Sequence, residues 1–214
     1  MRKSAITLCL ILCSLPLRAQ SPSGAKWVSI EPTKDLAGWT RVSIPPGKAL
    51  NPVSQWSFDS VHRVILCRGD GGHEWLRYDR PYRNFLFEAQ WKLAKVPGPP
   101  HYNSGIFVRN SADGAIWFQA QVGAPGAGYF FGDNPENGGV KRFDLKSLVI
   151  RDNLKPPGQW NTYRIRCQGE TLTLWVNGVQ QSEFTHCNRL QGYLGLEAEG
   201  SRISFRRLRV QVLP

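Results

Sequence analysis

The chain is poor in the residues that most often announce a chemistry. Of 214 residues, four are His, one is Met and five are Cys. There is no C-x-x-C pair and no close His/Cys spacing, which removes the usual warrant for structural zinc. G-x-S-x-G, P-loop and dinucleotide fingerprints are absent too, so nucleophilic-serine, nucleotide and nicotinamide chemistry get no support. Acidic residues are scarce, 16 against 27 Lys and Arg, for a formal net charge of +11. No long stretch repeats with helical period, and no apolar run reaches the roughly 20 residues of a membrane span.

The longest apolar run is at the start. Arg2 and Lys3 precede Ile6 to Leu12, Pro16 breaks the run, and Ala19 offers a small residue before a cut. This is the pattern of a secretory signal peptide over residues 1–19, so an exported, periplasmic or extracellular protein is expected. Cys13 follows Leu12 rather than a small residue, so no lipid anchor is expected. Without the leader's Arg2, Lys3 and Arg18, 24 basic residues face 16 acidic ones, a balance of +8. The densest basic group is Arg202, Arg206, Arg207 and Arg209, read as a solvated surface; no nucleic acid partner is expected. Cys67, Cys167 and Cys187 remain, an odd number that allows at most one internal bridge, and whether Cys167 and Cys187 form it stays open.

What is present is alternation. After a lead-in over residues 20–35, a single domain over 36–214 consists of short runs with period two, punctuated by Gly, Pro and Asn. Phe85, Phe87, Ala89 and Trp91 share one side of a strong strand, opposite Glu88, Gln90 and Lys92. The glycine-rich stretch 123–139 reads as a long surface loop, and 143–153 as a short strand or a bent loop. Asn177-Gly178 is the best hairpin turn in the chain. Apolar parity changes between Ile203, Phe205 and Leu208, Val210, which a bulge near Arg206-Arg207 explains. The fold expected is all-β, a two-sheet sandwich or jelly roll, with a barrel or two small β-domains as alternatives.

The stretch from His101 to Gln121 carries the candidate site. Gly105, Phe107 and Arg109 share one side of a strand, and Trp117, Gln119 and Gln121 one side of the next, with Ser111 to Gly114 as the turn. Arg109 can clamp a sugar oxygen with its rigid fork, or form an ion pair with Glu88 or Glu197. Gln119 and Gln121 can bond hydroxyls, and Trp117 can pack on a pyranose face or simply line the sheet rim. Glu197 and Glu199 both face away from the core, and Glu197 is the best candidate acid. His101 and Tyr102 stand at the entrance of the strand, with His101 a possible proton carrier. His73-Glu74-Trp75 can line one end of a cleft, and Asp133 and Glu136 can supply carboxylates from a lid.

Taken together, Leu36 to Trp39, Tyr82 to Phe85, Asn103 to Arg109, Gln119 to Val122, Gly126 to Phe130, Pro157 to Asn161, Asn177-Gly178 and Gly195 to Phe205 resemble the 3-keto-disaccharide hydrolase domain family, over roughly residues 35–212. The resemblance implies a concanavalin-like jelly roll whose concave face binds sugar-derived ligands, and hydrolysis of a glycosidic bond beside a 3-keto group. Gln121 and Arg109 match the family pattern; with the residue reading above, substrate contacts are expected from Arg109, Gln119, Gln121, Trp117, Asn103 and Tyr102, and proton transfer from Glu197, Glu88 or His101. Two departures stand out: this chain has Gln119 and Gln90 where the family usually carries Glu. An amide is neither an acid, a base nor an anionic ligand near neutral pH. The alternative is therefore a carbohydrate-binding sandwich that has lost its acid, and a third reading is an adhesive sandwich. No cofactor is expected, with a divalent metal left open.

Overall fold

A computed structural model describes residues 26–98 and 101–214; the expected leader and the start of the lead-in lie outside them. Fifteen strands follow one another: β1 (Val28–Ser29), β2 (Trp39–Ser43), β3 (Trp56–Asp59), β4 (Val64–Cys67), β5 (Glu74–Tyr78), β6 (Phe85–Leu93), β7 (Tyr102–Asn110), β8 (Phe118–Ala124), β9 (Phe130–Glu136), β10 (Gly139–Asp144), β11 (Asn161–Gln168), β12 (Thr171–Val176), β13 (Val179–Phe184), β14 (Tyr193–Ala198) and β15 (Ile203–Val212). They form two antiparallel sheets. The back sheet runs β13-β12-β11-β6-β15-β4-β3, with β1 beside the second half of β15, and the front sheet runs β10-β9-β8-β7-β14-β5-β2.

Period two explains the sandwich. Phe85, Phe87, Ala89, Trp91 and Leu93 of β6 and Tyr163, Ile165 and Cys167 of β11 point inward from the back sheet. Ile106, Val108, Phe118, Ala120, Val122, Leu194 and Leu196 meet them from the front. Each large side chain so buried contributes about 1.5–3 kcal/mol. The alternation leaves every second residue of β7, β8 and β14 on the outer surface of the front sheet, and there the polar residues collect.

The expected bulge is present: the β15–β6 register shifts between Arg206 and Arg209, and Arg207 takes φ 52°. Asn177 and Gly178, at φ 50° and 90°, turn β12 into β13. Two expectations need correcting. Residues 123–139 are not one loop, because β9 pairs with both β8 and β10 and extends the front sheet. Part of the lead-in belongs to the sandwich, since β1 pairs with β15 and Ile30 is in the core. Cys67, Cys167 and Cys187 are all free and buried. Burial pushes the Cys67 thiol up to about 12 and raises the other two as well.

Candidate active site

The outer surface of the front sheet holds a row of hydrogen-bonded side chains that starts at one buried carboxylate. Glu197, on β14, is only 2% exposed. Its Oε1 lies 2.9 Å from His73 Nε2, and its Oε2 accepts from Gln119 Nε2 at 2.8 Å. Gln119 Nε2 also donates to Gln121 Oε1 at 3.0 Å, and Gln121 Nε2 donates to Asn103 Oδ1 at 2.8 Å. Gly105 is what allows this row: a Cβ there would stand 2.4 Å from Gln119 Nε2. The backbone beneath is held from inside. Ser104 Oγ donates to the Glu197 carbonyl at 2.8 Å, and Tyr163 Oη reaches across from the back sheet to the Gln121 carbonyl at 2.7 Å.

His73 arrives from the turn ahead of β5. Gln55 fixes that turn, donating from Nε2 to the Gly72 carbonyl at 2.9 Å and accepting from Gly71 N–H at 3.0 Å. Gln55 also bonds Glu74, which Arg41 holds in a 2.7 Å ion pair. Glu74 is therefore a buried strut, while its neighbours His73 and Trp75 face the site.

Burial disfavours the charged form of both Glu197 and His73, but their partnership divides the outcome. For Glu197, burial raises the pKa above the ordinary 4.5, only partly opposed by the hydrogen bond from His73. For His73, burial lowers the pKa, but the bond to Glu197 and its charge outweigh that and leave it above 6.5. Both groups thus hold protons more tightly than usual, as expected of a pair that shares one.

The pair forms the floor of a cavity of about 420 Å³. Its walls are aromatic: Trp75 meets Phe107 edge-on at 5.6 Å, and Trp117 meets Phe131 at 5.0 Å. Trp75 lies flat on β14 because residue 195 is Gly, where a Cβ would stand 2.2 Å from the indole. At the rim, the Arg142 guanidinium covers Trp117 at 4.9 Å and is paired with Asp133. Apolar walls with a few convergent polar groups describe a small-ligand site.

Donor atoms of His73, Glu197 and Glu199 all lie within 4.8 Å of one another, the one such His/Cys/Asp/Glu group among the described residues. They can offer three ligand atoms to a divalent ion. The oxygens of Glu197 and Glu199 lie within 4.8 Å of each other, closer than the roughly 6.5–9.5 Å of an inverting pair. The 2.9 Å contact of His73 with Glu197 is short enough to pass a proton between them.

The structure brings together Glu197, Gln119, Gln121, Asn103 and Trp117. Four expected residues lie elsewhere. Arg109 is not on the polar face: β7 carries an extra residue against β14 between Asn110 and Phe107, Arg109 takes φ 55°, and its side chain turns inward. There it is fully buried, donating to the carbonyls of Gly169 at 2.7 Å and Arg83 at 2.8 Å, and it pairs with neither Glu88 nor Glu197. Glu88 is on the outer face of the back sheet, bound by Arg164 at 2.7 Å and by Arg209. Tyr102 packs against the core, its hydroxyl accepting from Val96 N–H. His101 is exposed ahead of β7 and outside the cavity. Gln90, on the back sheet with Thr162 and Arg206, has no part in this pocket. His73 and Trp75 turn out to be central, while Phe107, Phe131 and Arg142 carried no signal beyond strand parity.

Residues 26–211 match the family described as the 3-keto-alpha-glucoside-1,2-lyase-like domain. The chain belongs to that family. Membership makes it a carbohydrate-active type of domain and accords with the resemblance noted in the sequence. A search of curated proteins finds no match. Among solved structures, a candidate glycosyl hydrolase from Parabacteroides distasonis is similar with a TM-score of 0.61 and 16% identity, over 88% of this chain and 94% of that one. The carbohydrate-binding module CBM66 from Bacillus subtilis gives 0.60 and 15%, over 81% and 95%. A Bacillus licheniformis beta-glucanase gives 0.54 and 13%, over 91% and 100%. These likenesses establish the jelly-roll sandwich.

Proposed function

We propose that the Glu197 pocket cleaves the glycosidic bond of a 3-keto-α-glucoside, such as a 3-keto-disaccharide, outside the cytoplasm. The observation that carries this reading is the buried Glu197 carboxylate, held between His73 and Gln119 on the floor of an aromatic cavity. In a 3-keto sugar the carbonyl acidifies the hydrogen on C2. Glu197 takes that proton, the C2–H electron pair becomes the C1=C2 bond, and the C1–O pair leaves with the aglycone oxygen. His73, protonated, returns a proton to that oxygen. Addition of water across C1=C2 then makes the overall change a hydrolysis.

The raised pKa of Glu197 makes it a stronger base, and that of His73 keeps it charged closer to neutrality. Gln119 fits this one-base scheme. A second carboxylate 2.8 Å from Glu197 would repel it, whereas the amide N–H supports the ionised form. The amides of Gln121 and Asn103 offer hydroxyl contacts, and Trp117 and Phe107 an apolar wall. The scheme calls for no metal. The second reading, a binding module, rests on the same row of amides.

The test is sugar release from 3-keto and unoxidised glycosides by the parent and by Glu197→Gln and His73→Gln. Release from the 3-keto substrate alone is expected, with solvent deuterium entering at C2, and about 10²–10⁴-fold less with Glu197→Gln, the usual worth of a general base. No turnover by the parent, with sugar binding retained, overturns cleavage in favour of binding.

A further inference from the structure

A second groove lies apart from the carboxylate pocket. It measures about 570 Å³ and lies on the outer side of the back sheet, where β4, β15 and β6 run side by side. Arg68, Lys92, Lys95 and Arg202 line it with the hydroxyls of Ser57 and Ser204, and no acidic side chain does. Arg68 shares an exposed contact with Asp70 at 3.2 Å. Lys92, Lys95 and Arg202 belong to none of the ion pairs among the described residues.

The cationic strip continues along the strands. Lys92 faces Ser204 in register, and Arg206 faces Gln90 two residues further on. Trp160 holds both cations, with Arg206 at 3.9 Å and Lys92 at 4.9 Å from its ring. Arg206 is fixed further by Gln90 Oε1 at 2.9 Å. From Arg202 to Arg206 the strand advances on the order of 13 Å. Like charges gathered on one surface repel each other unless an anion joins them. Here two of them, Lys92 and Arg206, are fixed in place by an indole and, for Arg206, an amide, so less freedom is lost on binding.

We propose that this face binds an acidic polysaccharide, carboxylated or sulfated, at a site separate from the Glu197 pocket. The spaced cations match a repeating anion, and the serine hydroxyls and the Gln90 amide suit sugar hydroxyls. Nucleic acid is disfavoured because one cation-covered indole provides no succession of stacking platforms. A membrane surface is disfavoured because, of the large apolar residues lining the groove, Leu93 and Ile203 are buried and only Leu66, 38% exposed, could insert into lipid.

The experiment measures binding of the whole exported chain to polygalacturonate, dextran sulfate, neutral dextran, a 20-base-pair DNA duplex and vesicles containing phosphatidylserine. The expected result is binding to at least one anionic polysaccharide that weakens with salt. It falls at least tenfold in Lys92→Gln/Lys95→Gln/Arg202→Gln, whose melting temperature and pocket activity match the parent. Glu197→Gln must bind the polysaccharide like the parent, so failure of the cleavage reading leaves this result untouched. Equal binding by the triple variant, no preference over neutral dextran, or tighter binding to DNA or vesicles overturns the proposal.

Discussion

Replacing Arg109 with Met separates a structural from a sugar-binding role for the residue that the strand pattern placed on the ligand face. The side chain is fully buried, and its guanidinium donates to two carbonyls, those of Gly169 and Arg83, in the back sheet's end turns. Hydrogen bonds from a charged donor are worth about 1.5–3 kcal/mol each, and Met leaves both acceptors unpaired. Removing a buried cation also removes its desolvation cost, so a net loss of about 3–5 kcal/mol is expected. For a domain of this size, that lowers the melting temperature by about 6–20 °C. Circular-dichroism melts measure the loss. Sugar binding or release, assayed well below the variant's transition and normalised to folded protein, should stay within about twofold of the parent, because no Arg109 atom lines the pocket. An unchanged melting temperature with binding abolished would refute the strut and restore the clamp.

Other expectations follow from the same geometry. Glu197→Gln should lose activity while keeping or gaining thermal stability, since it removes a buried charge but fills the same volume; a large drop in melting temperature would contradict the site as described. His73 and Glu197 both have folded-state pKa values above their ordinary 6.5 and 4.5, so the folded state binds protons more tightly. Stability should therefore fall as pH rises from about 4.5 through the two raised values, and fall less steeply in Glu197→Gln; the opposite slope in paired melts would count against the shared proton. Gly105→Ala should push the Gln119 amide off Glu197, since its Cβ would stand 2.4 Å from Nε2, and weaken sugar binding more than stability. Cys67, Cys167 and Cys187, buried with raised thiol pKa values, should resist alkylation in the native protein and react on unfolding; mass spectrometry reads the difference.

The strand pattern carried most of the architecture, because period two and the turn chemistry of Asn177-Gly178 are local. Even the bulge at Arg206-Arg207 showed, since apolar residues change parity across it. The bulge at Arg109 did not show: the residues around it are polar or end the strand, and only the register with β14 reveals the extra residue. Glu88 and Glu197 look alike along the chain, both opposite a core residue. What separates them is that β6 runs in the back sheet and β14 in the front, a matter of topology. His73 and Glu197 are 124 positions apart, and their contact depends on β5 and β14 being neighbours.

The β9–β10 hairpin has a consequence for how such a pocket changes over evolutionary time. β10 is exposed along nearly its whole length and pairs only with β9, yet Phe131, Asp133 and Arg142 of this hairpin build one wall of the cavity. Glu197 and the amide row sit instead on central strands pinned through the core. Recomposing β10, none of whose residues is buried, would reshape the space above the carboxylate at little thermodynamic risk to the sandwich, whereas β9 is tied to the core through Phe130. On the proposed function, selectivity for the group attached to the sugar could be altered through β10 while His73 and Glu197 stay where they are.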